Sequence, residues 1–382
     1  MFRFLFCTVP ILLWDGLCLT GFVVVLSPGF CRFLWYYAIV SRRLTIRYGH
    51  DSCRQSLDIY FPDEASYRKA REFTRQPNGI VPTSGQLAAL MDGPATVIFA
   101  SGGAWLIGYK MWGCLLARAL TLRGMVVILP DYRNYPWGTV GNMVDDIDNV
   151  VEWTLQNIIH YGGNPLQMVL VGQSAGGHLG LVSLLRRALS LPTDEDETRA
   201  HSGITSSWKP RDLCGFISLS GPFHLSDMEH TFRKHGLDAK LVDRIFGGQR
   251  EIYDPWSIIQ SLSDEQAACL GGLLPPIQLY HGSRDRTVPC ESSATFVTEF
   301  QRRVSSNDTN ITWKVYDTWS HTDAILEGPM QGDHRFHDDI VQAVIDWTGF
   351  TTLNSQEDDN DPSRRPLCPK ILVLCAKLFM PF

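Results

Sequence analysis

Met168-Val-Leu-Val-Gly172-Gln-Ser-Ala-Gly176 is an apolar run that ends on a serine flanked by glycines, and the amphipathic stretch Ala175 to Ser190 follows it directly. That order reads as a buried strand, a tight turn and a helix. The turn is so tight that glycines must stand two residues before and after the serine, and Ser174 then projects its hydroxyl from the carboxyl edge of a sheet. With 32 glycines in 382 residues the bare G-x-S-x-G pattern carries little weight, and the strand before and helix after give it meaning.

Working outward, Thr96 to Ala100, Met125 to Leu129, Gly215 to Leu219 and Ile277 to Tyr280 are equally short and apolar, as is Gln167 to Val171 before the serine. Near-continuous apolar runs are what parallel strands covered on both faces look like. Helical stretches alternate with them: Asn142 to His160, Ala175 to Ser190, Ser292 to Val304 and His334 to Trp347. Alternating strand and helix predicts an α/β fold around a mostly parallel sheet. Ala65 to Gly93 and the acidic stretch Leu191 to Pro210 read as polar loops.

Composition narrows the class. Hydrophobic residues make up 45% and charged residues 19%, which excludes a disordered chain. A net charge of −6 gives no footprint for a nucleic-acid partner. The ten cysteines are scattered with no Cys-x-x-Cys pair, which predicts neither a disulfide framework nor a zinc or redox site. No metal or cofactor is expected, and the oligomeric state is left open.

The ends differ from the middle. Phe4 to Leu26 is almost wholly apolar and long enough for a membrane core, which needs about 20 residues. Phe30 to Val40 adds Arg32, Phe33, Trp35, Tyr36 and Tyr37, residues suited to a membrane interface. Residues 1–41 are therefore expected to anchor the chain by one span or a hairpin; a cleaved signal peptide and a buried helix are the competing readings. With one span, Arg42, Arg43 and Arg47 outweigh Arg3 and put the main domain in the cytosol. Residues 42–350 read as the catalytic domain. Residues 351–382 read as a polar linker and a short apolar tail, Ile371 to Phe382, suited to lying on a membrane surface.

Ser101-Gly102-Gly103-Ala104-Trp105 ends the strand Thr96 to Ala100, where glycines let backbone amides approach a reacting carbonyl. Gly102 and Gly103 are the expected oxyanion donors, joined by the Ala175 amide. A serine nucleophile needs a base, and the base needs an orienting carboxylate, in the chain order serine, acid, histidine. Asp285, after the strand Ile277 to Tyr280, and His321, after Thr312 to Tyr316, satisfy that order. Asp323 is the rival acid, too close to His321 in sequence for that role. His178 reads as packing, His281 as a brace for the acid's loop, and His334 with His337 as an exposed helix face. Trp105, Tyr109 and Trp112 are expected to line an apolar trough for substrate, with Trp137 and Phe223 nearby.

Gly102-Gly-Ala-Trp-Leu-Ile-Gly-Tyr-Lys110, Asp131-Tyr-Arg-Asn-Tyr-Pro136, Tyr161-Gly-Gly-Asn-Pro165 and Gly172-Gln-Ser-Ala-Gly-Gly-His178 are longer and more specific than a generic elbow. Through them the chain, from about Pro28 to Trp347, resembles the plant isoprenylcysteine α-carbonyl methylesterases, membrane-bound members of the α/β-hydrolase superfamily. The resemblance implies an α/β-hydrolase fold and an enzyme of endoplasmic reticulum and Golgi membranes. It implies hydrolysis of the methyl ester on a C-terminal prenylated cysteine, farnesyl or geranylgeranyl, to free carboxylate and methanol. Its substrates would be prenylcysteine methyl esters or prenylated protein C-termini, met at membrane lipid. Carried onto this chain, the nucleophile is Ser174, the acid Asp285, the base His321 and the oxyanion loop Gly102 and Gly103. One departure stands out: Ser101 replaces the family's histidine, which bears on the order of that loop. Alternatives are another carboxylesterase, a kynurenine-formamidase-like hydrolase, or a ligand-binding protein on the same scaffold. Gibberellin receptors, the example of the last, lack the histidine that His321 supplies here.

Overall fold

A computed structural model describes residues 17–18, 20–75, 93–189, 207–226, 228–234, 239–304, 311–352 and 365–377. Eight strands form one sheet in the order β1-β2-β4-β3-β5-β6-β7-β8. They are β1 Arg43–Arg47, β2 Ser56–Tyr60, β3 Ala95–Ala100, β4 Val126–Pro130, β5 Asn164–Gln173, β6 Gly215–Leu219, β7 Ile277–Gly282 and β8 Ile311–Tyr316. The strands from β4 to β8 run parallel, and β1 and β2 add an antiparallel edge.

The helices are α1 Ser27–Trp35, α2 Glu64–Arg75, α3 Cys114–Thr121, α4 Val140–Asn157, α5 Ala175–Ala188, α6 Met228–Lys234, α7 Ala239–Ile245, α8 Pro255–Ser261, α9 Asp264–Leu273, α10 Cys290–Arg303, α11 Glu327–Gln331, α12 Arg335–Thr348 and α13 Lys370–Lys377. Alternate strand residues face opposite ways. Ile98, Leu170 and Phe216 pack under α4, α5 and α10, while Val97, Phe99, Val171 and Ile217 pack under α1, α3, α12 and α13. Every residue of β3, β4 and β6 is buried, which is why these strands read as unbroken apolar runs.

Three differences from the sequence reading have physical causes. The start of the Ala65 to Gly93 stretch is not loop but the charge-rich helix α2, of which only Ala70 is buried. The edge strand β1 carries arginine at both ends and is nowhere fully buried, so it lacks the apolar signature. His334 and His337 are buried rather than exposed, because α12 turns Phe336, His337, Ile340 and Val344 inward. Their Nδ1 atoms lie 2.9 Å apart. Among the described residues, no helix is long and apolar enough to cross a membrane.

The described residues toward both ends pack on the body. Phe22, Leu26 and Phe33 from the amino end and Cys368, Val373 and Ala376 from the carboxyl end are buried in one cluster. Arg32 donates to the Leu367 carbonyl at 2.8 Å, tying α1 to the segment before α13. Residues 1–16, 191–206 and 378–382, parts of the expected anchor, acidic loop and tail, lie outside the described residues.

Candidate active site

Ser174 sits between β5 and α5 with φ +53°, a left-handed conformation that a non-glycine residue holds only when its surroundings force it. The force is visible on both sides. A Cβ on Gly176 would stand 2.1 Å from the Ala100 carbonyl oxygen, and one on Gly172 would meet the Gly176 and Gly177 backbone at 2.6 Å. The Ser174 amide donates to Leu219 at 2.8 Å, so the elbow is also stitched to β6.

His321 and Asp285 reach this serine from the loops after β8 and β7. His321 Nε2 lies 2.9 Å from Ser174 Oγ, and His321 Nδ1 lies 2.7 Å from Asp285 Oδ2. All three residues are buried. The carboxylate oxygen can only accept, so Nδ1 carries the proton and Nε2 is left to accept from the serine. Asp285 is further fixed by amides of Thr287 and Val288, each 2.9 Å from Oδ1. Burial would raise its pKa, but His321 and His281 close to it hold the carboxyl well below the usual carboxylate range. His281 braces that loop: its Nδ1 lies 2.8 Å from Ser293 Oγ and its Nε2 2.9 Å from the Val288 carbonyl.

Asp323, the rival acid, faces away. Its Oδ2 accepts from the Ser320 amide and hydroxyl at 2.7 and 2.8 Å, and its Oδ1 pairs with Lys377 of α13 at 2.5 Å.

The loop after β3 is placed differently from expectation. Gly102 donates its amide to Gln173 Oε1 at 3.0 Å, so that N–H is already spent. The next two residues carry φ values of +138° (Gly103) and +50° (Ala104), and neither amide donates to a protein acceptor among the described bonds. Ala175 opens α5, where the first amides have no intrahelical acceptor. The free donors beside Ser174 are thus Gly103, Ala104 and Ala175. Gln173 is the residue that sequence reasoning missed; its only signal was the second position of the elbow motif.

Ser101, in place of a histidine, does not leave this loop loose. Its hydroxyl donates to Tyr109, its carbonyl accepts from Tyr132 at 2.8 Å, and Asn134 Nδ2 donates to Gly108 at 2.7 Å. Asp131 accepts from the Lys110 amide at 2.8 Å, while Lys110 Nζ pairs with buried Asp58 of β2 at 2.8 Å. The Asp131-Tyr-Arg-Asn134 motif is therefore a cradle for residues 101–110, with Arg133 itself anchored on buried Asp146.

Of the aromatic residues expected to line a trough, Trp105 does not. It is 1% exposed, packs edge-on against His178 and Phe246, and donates its indole N–H to His178 Nδ1 at 3.3 Å. His178 in turn donates to Tyr253 at 2.7 Å, and burial pushes its pKa down to about 4, so it is a neutral strut. Phe223 is buried against Phe296. Tyr109 is half-buried, while Trp112, Trp137 and Ile107 remain exposed, the last two by more than 70%. Among the described residues no group of three or more metal-ligating side chains comes together.

Comparison with known proteins gives the family. The BD-FAE family model matches residues 90–300. The chain is 32% identical over 96% of its length to isoprenylcysteine alpha-carbonyl methylesterase ICME of Arabidopsis thaliana, spanning 76% of that protein. It is 30% identical, again over 96% of its length and 77% of the relative, to the probable isoprenylcysteine alpha-carbonyl methylesterase ICMEL1 of rice, Oryza sativa subsp. japonica. Among solved structures, esterase B of Lactobacillus rhamnosis inhibited by a tributyrin phosphonate superposes with a TM-score of 0.60 at 17% identity, covering 87% of this chain and 96% of that one. The fold is that of the α/β-hydrolases, the enzyme is a carboxylic ester hydrolase, and the chain belongs to the isoprenylcysteine α-carbonyl methylesterase family.

Proposed function

We propose that the chain hydrolyses the methyl ester of a C-terminal prenylated cysteine through an acyl-enzyme on Ser174. The observation that carries the chemistry is the unbroken relay Asp285–His321–Ser174 at 2.7 and 2.9 Å. His321 takes the serine proton as Oγ attacks the ester carbonyl, and Asp285 stabilises the resulting imidazolium. The carbonyl oxygen becomes an oxyanion facing the amides of Gly103, Ala104 and Ala175. Collapse of the intermediate expels methoxide, which leaves as methanol with the proton from His321. Water, activated by the same histidine, then attacks the acyl-enzyme and releases the free carboxylate. Support for the prenylcysteine ester comes from the names of the plant relatives.

Membrane lipid as a partner is part of the same proposal. It draws on exposed apolar residues near both ends: Leu34, Trp35, Ile39 and Val40 toward the amino end, Ile371 and Leu374 on α13. The expected location is the endoplasmic reticulum and Golgi membrane, with the catalytic domain toward the cytosol.

The test is methanol release from farnesylcysteine methyl ester by membranes carrying the chain, beside the Ser174→Ala variant. Serine-dependent release is expected. Cleavage of a simple aryl ester with the prenyl ester untouched would refute the substrate and keep the triad. Cleavage of neither would favour the ligand-binding reading.

A further inference from the structure

We propose that Gln173 is a positioning residue that ties the oxyanion loop to the nucleophile elbow and the His321 loop, and so sets which amides meet the developing charge. The proposal rests on the esterase reading of the triad and goes beyond it.

Gln173 ends β5 immediately before Ser174, and its side chain is buried. Its carboxamide can be oriented in only one way. Gly102 N–H is a donor, so the atom 3.0 Å from it must be the oxygen. The amide nitrogen then lies on the other side, 3.4 Å from both His321 Nε2 and the His321 carbonyl. One side chain thereby bridges the loop after β3 and the loop after β8, passing beside the serine between them.

Two consequences follow for chemistry. By consuming the Gly102 amide, Gln173 removes it from the oxyanion site and leaves Gly103 and Ala104 to turn toward substrate. That turn is closed behind them by the Leu106 and Ile107 amides, both 2.9 Å from the Gly103 carbonyl. A Cβ on Gly102 would lie 2.2 Å from Gln173 Oε1, so the bridge itself demands glycine there. Second, the Gln173 amide shares Nε2 of His321 with Ser174, but at 3.4 Å against 2.9 Å the serine keeps the shorter bond. A neutral carboxamide leaves the imidazolium without a competing anion. A carboxylate in its place would still accept from Gly102 but would also attract the charged histidine.

Two variants of the full-length chain, assayed on a short p-nitrophenyl ester, separate this from simple packing. Gln173→Leu keeps bulk but drops the bridge, and kcat is expected to fall roughly tenfold to a hundredfold with KM changed less than about threefold. Gln173→Glu restores the bond to Gly102, so its plateau kcat is expected to exceed that of the leucine variant by about tenfold. It should also move the acidic limb of the kcat/KM profile up by about one pH unit, because a carboxylate near His321 favours its protonated form. Unchanged kcat in the leucine variant, or equal losses in both with an unmoved limb, would overturn the proposal. If the leucine variant fails to fold, the limb of the glutamate variant decides alone. Hydrolysis identical in wild type and Ser174→Ala would overturn the triad reading and this proposal together. Serine-dependent hydrolysis indifferent to Gln173 overturns only the latter.

Discussion

Ser174 and His321 stand 2.9 Å apart, yet they are held by opposite kinds of structure. The serine is fixed by backbone: the Ala100 carbonyl against Gly176, the Leu219 carbonyl on its own amide, and a central strand paired on both edges. The histidine is fixed by side chains and chain ends. Its loop folds over Asp323, which receives Ser320 from one side and Lys377 of α13 from the other. The helix that follows, α11, offers the Met330 carbonyl to the Leu367 and Cys368 amides, and Gly29 lies close enough to Met330 and Cys368 that a Cβ there would stand 3.1–3.2 Å from them. The nucleophile thus depends on the sheet, whereas the base depends on α13 and, behind it, on the amino-terminal segment around Gly29.

The largest effect that sharpens the comparison should come from the link between the two halves. Asp285→Asn removes the charge that orients His321 and favours the wrong tautomer, and kcat is expected to fall about 10⁴-fold while the fold survives. Steady-state kinetics with a matched thermal melt checks it. A loss under about tenfold would mean that the amides and His281 around Asp285 already fix the ring without the charge.

Lys377→Met tests the far support and should do much less. It leaves buried Asp323 without its cation, and stability should drop by about 1–2 kcal/mol, less than for a fully buried pair because Lys377 is a third exposed. The kcat should fall only about threefold, since the ring keeps Asp285. Denaturant unfolding and kinetics on the same preparation give both numbers. No change in either would show that α13 merely rests on the His321 loop.

This contrast also explains what could be read from the sequence. The elbow, the strands and the order of Ser174, Asp285 and His321 depend on short local patterns, so residue type and spacing reveal them. Gln173 was invisible because its partners, Gly102 and His321, are distant in the chain and only the fold brings them to one side chain. Trp105 misled for the opposite reason. Its place beside the oxyanion loop suggested substrate, but a left-handed backbone at φ +62° turns it down onto His178. His334 and His337 read as an exposed helix face because no further ligand cluster accompanies them, yet they are buried, while Asp338 and Asp339 beside them pair with Arg123 and Lys314.

The smallest expected effect on catalysis lies in Glu327, which opens α11 next to Asp323 and is fully buried. Burial and the neighbouring Asp323 charge push its pKa from an ordinary 4.5 up to about 7, while Thr322 donates to its Oε1 at 2.8 Å. The folded chain therefore holds this proton more tightly than the unfolded chain does. Its stabilising contribution is complete below pH 4.5 and is lost as pH rises through 7. Gln in the same place keeps an acceptor for Thr322 but has nothing to ionise. Melts of the wild type and Glu327→Gln should coincide near pH 5, and the variant should melt about 4 °C higher near pH 8. A pH-independent gap would mean that shape rather than ionisation separates the two. Because Asp323 raises the Glu327 pKa and Lys377 opposes it, removing Lys377 should widen the gap at pH 8 beyond the sum of the single changes. The His321 side would then lose stability as pH rises through 7, whereas the Ser174 side, where burial holds His178 neutral, loses it only as pH falls toward 4.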